Sequence, residues 1–390
     1  MRSIQQEGYE VFGISADGGN VPVLEAAGVR HLAVNLTRNV TPLQDLKTLW
    51  RLYRVMKRER FTIVHTHTPK PGLLGQLAAR MAGVPIVVNT IHGFYFHEHM
   101  PAKQRRFYIL LEKIAARCSD LILSQNSEDM HTALREGICA AAAIKHLGNG
   151  IDVTRFDRSR FSAKHLEHKR RELGLPSDAK VVGFVGRLVA EKGILEFLQA
   201  AKHVQKLIPA TRFLFIGMID HEKSDAVQPE IFRDYGLADA CVFAGWRQDM
   251  PEMYALMDVF VLPSHREGFP RAPMEASAME VPCVVTDIRG CREAVEHDRN
   301  GLMVPLRDVQ ALVDAMMALL TKPELARRLA KEGRRMAVER FDERMVFEKV
   351  KSEYRRLLRA KGFTVNDAPS GANADLQESL ALPRLRQTIV

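Results

Sequence analysis

Eleven short runs of β-branched and aliphatic residues recur along almost the whole chain, separated by longer stretches of helical period. Six begin at Tyr9, His31, Thr62, Pro85, Asp120 and Ala143, and five more at Lys180, Arg212, Cys241, Val259 and Pro282. A strand that is apolar at successive positions has to be covered on both faces, which is the pattern of parallel sheets joined by helices. The fold class expected is α/β, with Rossmann-like, doubly wound parallel sheets. At 390 residues the chain exceeds one ordinary core and suits two domains.

The expected boundary lies at the turn-rich stretch GNGIDVTRF, Gly148 to Phe156, where the sequence becomes polar and basic. This gives a first domain over residues 1–155 and a second over 156–341. A basic amphipathic helix over 342–363 is expected to cross back to the first domain, and the Pro/Ser/Gly-rich segment 364–390 to be a disordered tail. The opening residues, RSIQQEG, read as the last turns of a helix. The first domain is therefore expected to lack its first β-α unit, or to begin upstream of Met1.

Composition narrows the function classes. No apolar run reaches the length of a membrane-spanning helix, and no secretory signal is visible. Five scattered cysteines without CxxC spacing point to reduced thiols in a cytoplasmic protein and against a zinc site. Residues 1–160 hold 21 basic and 14 acidic side chains, against 35 and 33 in the remainder, so +7 of the net +9 belongs to the first part. That excess suits an anionic membrane surface at the inner face of the plasma membrane. It is too modest, and too poor in interleaved aromatics, for a nucleic-acid binder.

Three stretches carry chemistry. In FVGRLVAEKGI, Arg187 and Lys192 flank a strand-to-helix turn and can converge on one anion, an arrangement that helix N-terminal amides favour. In REGFPRAPME, Glu267 and Glu275 stand either side of a loop-to-helix junction. Gly268 lets a ligand approach closely, and the amides of Phe269, Arg271 and Ala272 are available to it because Pro270 has none. Glu275 is expected in the first helical turn, where the dipole favours a carboxylate. In the first domain His65, His67 and His92 fall at or just past strand ends, where open α/β sheets bind ligands. His65 reads as structural and His92, within HGFYF, as functional.

The stretches HTHTPKPGLLG, NTIHGFYFHE, GNGIDVTRF, GRLVAEKG, EGFPRAPME and TDIRGCREAVEHDRNGLMVP together resemble the retaining glycosyltransferases of family 4, of GT-B fold, from Tyr9 to Tyr354. The form with GFPR and TDIRGCRE is similar to the branch that builds bacterial surface polysaccharides. The resemblance implies two Rossmann-like domains facing a cleft, and a nucleotide-sugar donor, UDP-linked, with no metal and no other cofactor. It implies that Arg187 and Lys192 neutralise the diphosphate, that Glu275 holds the ribose and Glu267 the transferred sugar, and that His92 lies near the reacting face. A lipid-linked or saccharide acceptor follows from the same resemblance. One departure is Glu280 in AMEVP, where the family carries a glycine that relieves a left-handed helix end. Two other readings stay open: a nucleotide-sugar-binding scaffold without activity, and a GT-B UDP-sugar 2-epimerase.

Overall fold

The computed structural model describes residues 1–19, 21–37, 41–97, 100–365 and 386–389. The chain divides into one unit of Met1–Gly148 with Phe347–Val390 and another of Asn149–Val346.

The first unit is built on seven strands: β1 (Glu10–Ser15), β2 (Arg30–Ala33), β3 (Ile63–His67), β4 (Ile86–Ile91), β5 (Leu121–Ser124), β6 (Ile144–His146) and β13 (Arg386–Ile389). They run parallel in the order β2-β1-β13-β3-β4-β5-β6. The second unit carries β7 (Val181–Val185), β8 (Arg212–Ile216), β9 (Cys241–Gly245), β10 (Val259–Leu262), β11 (Cys283–Thr286) and β12 (Gly301–Val304), in the order β12-β11-β10-β7-β8-β9. All eleven runs read from the sequence are strands of these two sheets, and β12 and β13 are additions.

The burial follows the composition. Every residue of β4 (IVVNTI) and β10 (VFVL) is buried, as a strand covered on both faces requires. In the second unit Phe184, Phe197, Phe213, Phe215 and Phe232 interlock, with the Phe197 and Phe215 rings edge-to-face at 4.9 Å.

The segment expected to be a disordered tail departs from that reading. Arg386–Ile389 pairs with β1 on one side and β3 on the other, so four of its residues occupy an interior position of the sheet. Residues 366–385 of that segment lie outside the described residues. The reason for the misreading is chemical: RQTI is too polar to announce a central strand. Gln387 and Thr388 are nevertheless fully buried. Gln387 Nε2 donates to the Tyr354 hydroxyl at 2.5 Å, whereas the Gln387 Oε1 and Thr388 Oγ1 atoms are buried with no hydrogen-bond partner among the described residues.

The boundary also shifts. Residues 149–155, assigned from sequence to the first domain, pack in the second unit. Ile151 donates its N–H to the Phe341 carbonyl at 2.7 Å and bridges Asp342, and Asn149 Nδ2 donates to the Phe269 carbonyl at 3.0 Å. The helix Glu343–Ala360 starts there, and from Phe347 it belongs to the first unit. It is tied down by Lys351 and Arg355 on Glu7, at 3.2 and 2.5 Å, and by Glu353 on Lys145 at 2.5 Å. Burial acts to raise the Glu7 carboxyl, but the two cations outweigh it and hold it below the usual glutamate range. A depressed carboxyl stabilises the fold above its unfolded pKa, and that contribution is lost as pH falls through the folded value.

A buried hydroxyl without a partner costs about 1–3 kcal/mol. Thr388→Val keeps the shape and removes that hydroxyl. It is expected to raise the unfolding free energy of the first unit by about that amount in urea titrations followed by hydrogen exchange at β1 and β3. An unchanged or lowered value would show the hydroxyl to be satisfied.

Candidate functional site

In the second unit the polar residues gather at the carboxyl ends of β7 and β10. Gly193 makes the first of these loops possible. It adopts a left-handed φ of 73°, and a Cβ there would stand 2.0 Å from the Pro263 carbonyl oxygen. Only glycine lets the turn after Ala190–Lys192 lie against the loop after β10. Lys192 thereby reaches Glu267: its Nζ is 2.5 Å from Glu267 Oε1, and the Glu267 side chain is only 10% exposed. Ser264, fully buried behind β10, donates from Oγ to the same oxygen at 2.7 Å. Glu267 Oε1 is therefore taken by two donors.

Arg187 follows β7 and is bound to Asp220 of the loop after β8, Nη1 to Oδ2 at 2.6 Å. The two cations read from the sequence thus stand on adjacent turns, and each is matched by an acid. A cation in a partly enclosed site is costly without a counter-charge, and each acid supplies one.

Gly268 precedes Phe269, whose ring is buried against Phe341, edge-to-face at 6.0 Å. Phe269 is therefore a core residue. The loop is held from the other side by Gly290. At φ 89°, a Cβ on Gly290 would lie 2.6 Å from the carbonyl oxygens of both Glu267 and Gly268. Sequence reasoning passed over Gly290, Ser264 and Asp220. Gly290 does stand in TDIRGC, a stretch singled out above; Ser264 and Asp220 carry no local signal.

The helix starts at Arg271 with Pro270 as its N-cap, so Glu275 is its fifth residue and lies beyond the first turn. The expected stabilisation of Glu275 by the helix end is therefore corrected. The Tyr254 hydroxyl donates to Glu275 Oε2 at 3.0 Å, and Arg271 Nε stands 3.7 Å from Oε1. Burial pushes the Glu275 carboxyl above its ordinary range, against the opposing pull of Arg271 and the Tyr254 hydroxyl. Arg271 itself is about half exposed and lies 4.0 Å from Glu343 as well.

In the first unit, His67 ends β3, His92 follows β4 and Gln125 follows β5. His67 Nδ1 is 2.8 Å from His92 Nε2, and His92 Nδ1 is 3.0 Å from Gln125 Oε1. His65 is buried and uses both ring nitrogens, Nδ1 with the Tyr354 hydroxyl at 2.5 Å and Nε2 with Thr90 Oγ1 at 2.7 Å. Burial lowers all three, and neighbouring imidazoles add to it for His65 and His67: His65 lies well below the usual value, His67 is lowered to about 3, and His92 is lowered by burial against the opposing pull of Gln125.

Two parallel-sheet Rossmann-like units, with acid–cation loops at the carboxyl ends of the second sheet, are the architecture of the GT-B fold. The model described as "Glycosyl transferases group 1" matches residues 166–336, and that of a "Glycosyl transferase 4-like domain" matches residues 1–150. The chain belongs to this family and is a glycosyltransferase. It is 33% identical over 321 residues to the UDP-Gal:alpha-D-GlcNAc-diphosphoundecaprenol alpha-1,3-galactosyltransferase of Escherichia coli, covering 82% of this chain and 81% of that one. It is 28% identical to the capsular polysaccharide biosynthesis glycosyltransferase CapM of Staphylococcus aureus, over 91% of this chain and 92% of the relative. Anabaena HepE, solved in complex with UDP-glucose, shares the fold with a TM-score of 0.78 at 21% identity, over 91% of this chain and 94% of that one.

Glu280 does sit in the left-handed region, at φ 58°. The helix end keeps its geometry, and the glutamate bears the strain. A non-glycine residue in that conformation costs about 1 kcal/mol. Glu280→Gly is expected to raise the melting midpoint of the second unit by about 2–4 °C in calorimetry.

Proposed function

We propose that this glycosyltransferase moves a sugar, with retention of anomeric configuration, from a UDP-linked donor to a lipid-linked or saccharide acceptor in bacterial surface-polysaccharide synthesis, as O-antigen or exopolysaccharide. The observation that carries this reading is the Glu267–Lys192–Ser264 cluster beside Arg187. It joins a carboxylate able to accept sugar hydroxyls to cations able to take a diphosphate. The names of the relatives in Escherichia coli and Staphylococcus aureus support the substrate class and the pathway. The UDP-glucose complex of the Anabaena structure supports the nucleotide.

The chemistry proposed is electrostatic. Breaking the bond between the sugar and the diphosphate leaves negative charge on the leaving oxygen, and preorganised cations at that position lower the barrier. Arg187 exchanges Asp220 for phosphate, and Lys192 turns part of its charge from Glu267 to the same group. The acceptor oxygen bonds to the anomeric carbon on the face the diphosphate leaves, and its proton passes to the leaving phosphate oxygen. No metal and no further cofactor is invoked, because the side-chain cations carry the charge that a metal would otherwise meet. Glu275 accepts the ribose hydroxyls as a carboxylate. The amides after Gly268, at Phe269 and Arg271, serve the donor phosphates.

The anionic membrane surface is the partner proposed for the first unit. No helix of the described residues is long and apolar enough to cross a membrane. Two amphipathic helices, Pro42–Glu59 and Ala102–Arg117, both pack on the helix Pro69–Ala82. The first exposes Leu43, Leu46 and Trp50 at 82%, 66% and 56%, among Lys47, Arg51, Arg54 and Lys57. The second exposes Phe107 and Leu110 among Lys103, Arg106 and Arg117. Apolar side chains ringed by cations suit attachment at the inner face of the plasma membrane from the cytoplasm.

Incubation with a panel of UDP- and GDP-sugars and a bacterial lipid extract tests the reading. Transfer from a UDP-sugar is expected, insensitive to EDTA, with Lys192→Ala lowering kcat about 100- to 1,000-fold. Absence of transfer from every UDP-sugar would overturn it. Because its carboxyl is raised, Glu275 loses its charge as pH falls through a value above the ordinary glutamate range. Affinity for UDP measured by calorimetry as pH is lowered should therefore weaken more steeply in the natural protein than in Glu275→Gln.

A further inference from the structure

The row His67–His92–Gln125 crosses the carboxyl ends of three neighbouring strands, and its hydrogen bonds fix a direction. β3, β4 and β5 are adjacent and parallel, with Thr90 opposite His67 and Ser124 opposite Ile91, so the three side chains emerge side by side. The Gln125 side chain is buried, and its Oε1 can only accept. The proton of His92 must then sit on Nδ1. In a neutral imidazole that leaves Nε2 as a bare lone pair, so His67 must donate to it from Nδ1. The consequence falls on the far edge of His67, where Nε2 keeps its lone pair. Among the described residues no partner is recorded for that atom.

We infer that His67 Nε2 is the hydrogen-bond acceptor the first unit offers to a substrate hydroxyl, and that His92 and Gln125 are positioning residues which set its tautomer. This rests on the sugar-transfer reading above for the class of substrate, an alcohol of the sugar or of the saccharide acceptor. It moves the contacting imidazole from His92, both of whose ring nitrogens are bonded within the protein, to His67. The ring beneath supports the assignment. His65 stacks on His67 with centroids 4.5 Å apart and an interplanar angle of 22°. It is itself locked between Tyr354 and Thr90, so it presents a fixed surface that holds the His67 ring in plane. The low proton affinity of the rings supports it too, because a proton on His67 Nε2 would remove the outward lone pair, and one on His92 Nε2 would set two donors against each other.

A lone pair held in this way is selective. A hydroxyl can donate to it, while a ligand atom that can only accept finds no proton there. Orientation by neighbouring groups is how enzymes generally choose between the two nitrogens of a histidine.

The experiment is nitrogen-15 NMR of the full chain labelled at histidine, with assignments from His67→Leu and His92→Leu, and with Gln125→Leu as the test variant. Both His67 and His92 are expected as Nδ1–H tautomers, with a coupling across the hydrogen bond between His67 Nδ1 and His92 Nε2. In Gln125→Leu, which removes the accepting oxygen, both rings should move to averaged shifts at neutral pH. A proton on Nε2 of either ring in the natural protein, or shifts in Gln125→Leu identical to it, would overturn the inference. In transfer assays, His67→Leu and Gln125→Leu should each lower kcat/KM about tenfold. An unchanged kcat/KM in His67→Leu would overturn the contact. Should no nucleotide sugar support transfer, the sugar-transfer reading fails on that result, and the NMR spectra decide the tautomer separately.

Discussion

Both sheets are parallel and covered on both faces, and this single constraint organises the molecule. A strand such as β4 or β10 has no solvent side on which to keep a charge, so the polar chemistry is confined to strand ends. In the second unit it collects where β7 and β10 end, with Arg187, Lys192, Ser264 and Glu267. In the first it collects where β3, β4 and β5 end, with His67, His92 and Gln125. The two groups are of opposite kind. One is a balanced set of ions, and the other a row of neutral rings whose surroundings oppose protonation.

The ionic set shows how cations are kept at a partly enclosed strand end. Lys192 lies against Glu267 and Arg187 against Asp220, at 2.5 and 2.6 Å. Each pair offsets the desolvation of a partly enclosed charge, and its strength in a partly exposed setting is modest. Ser264 contributes differently. It occupies one side of Glu267 Oε1 from a fully buried position, and so orients the carboxylate whichever way Lys192 turns.

β13 shows a compromise in the other unit. Its central place buries Gln387 and Thr388, and two of their polar atoms have no partner among the described residues. Such atoms act against the packing that surrounds them. The Gln387 amide and the Tyr354 hydroxyl recover part of that cost and extend into His65, which underlies His67. The seat of the last strand and the orientation of the histidine row are thus physically connected.

Much was determined by local sequence alone. The apolar runs specified eleven strands and their parallel arrangement, because burial on both faces is written in composition. The loops GRLVAEKG and EGFPRAPME could be read because they concentrate glycine, proline and charge at fixed spacing. Glu280 could be recognised as a left-handed helix end through the resemblance, because the family carries a glycine there. What the tertiary structure decided is partnership between residues far apart in the chain. Asp220 meets Arg187 only through the adjacency of β7 and β8, and Gln125 meets His92 only through that of β4 and β5. Glu275 left the first turn because the helix starts at Arg271, and it gained a buried tyrosine instead. β13 entered a sheet that its polar residues do not advertise. Propensity and periodicity act over a few residues, whereas a counter-charge, a tautomer or a strand neighbour is selected by whatever the folded chain brings within about 3 Å.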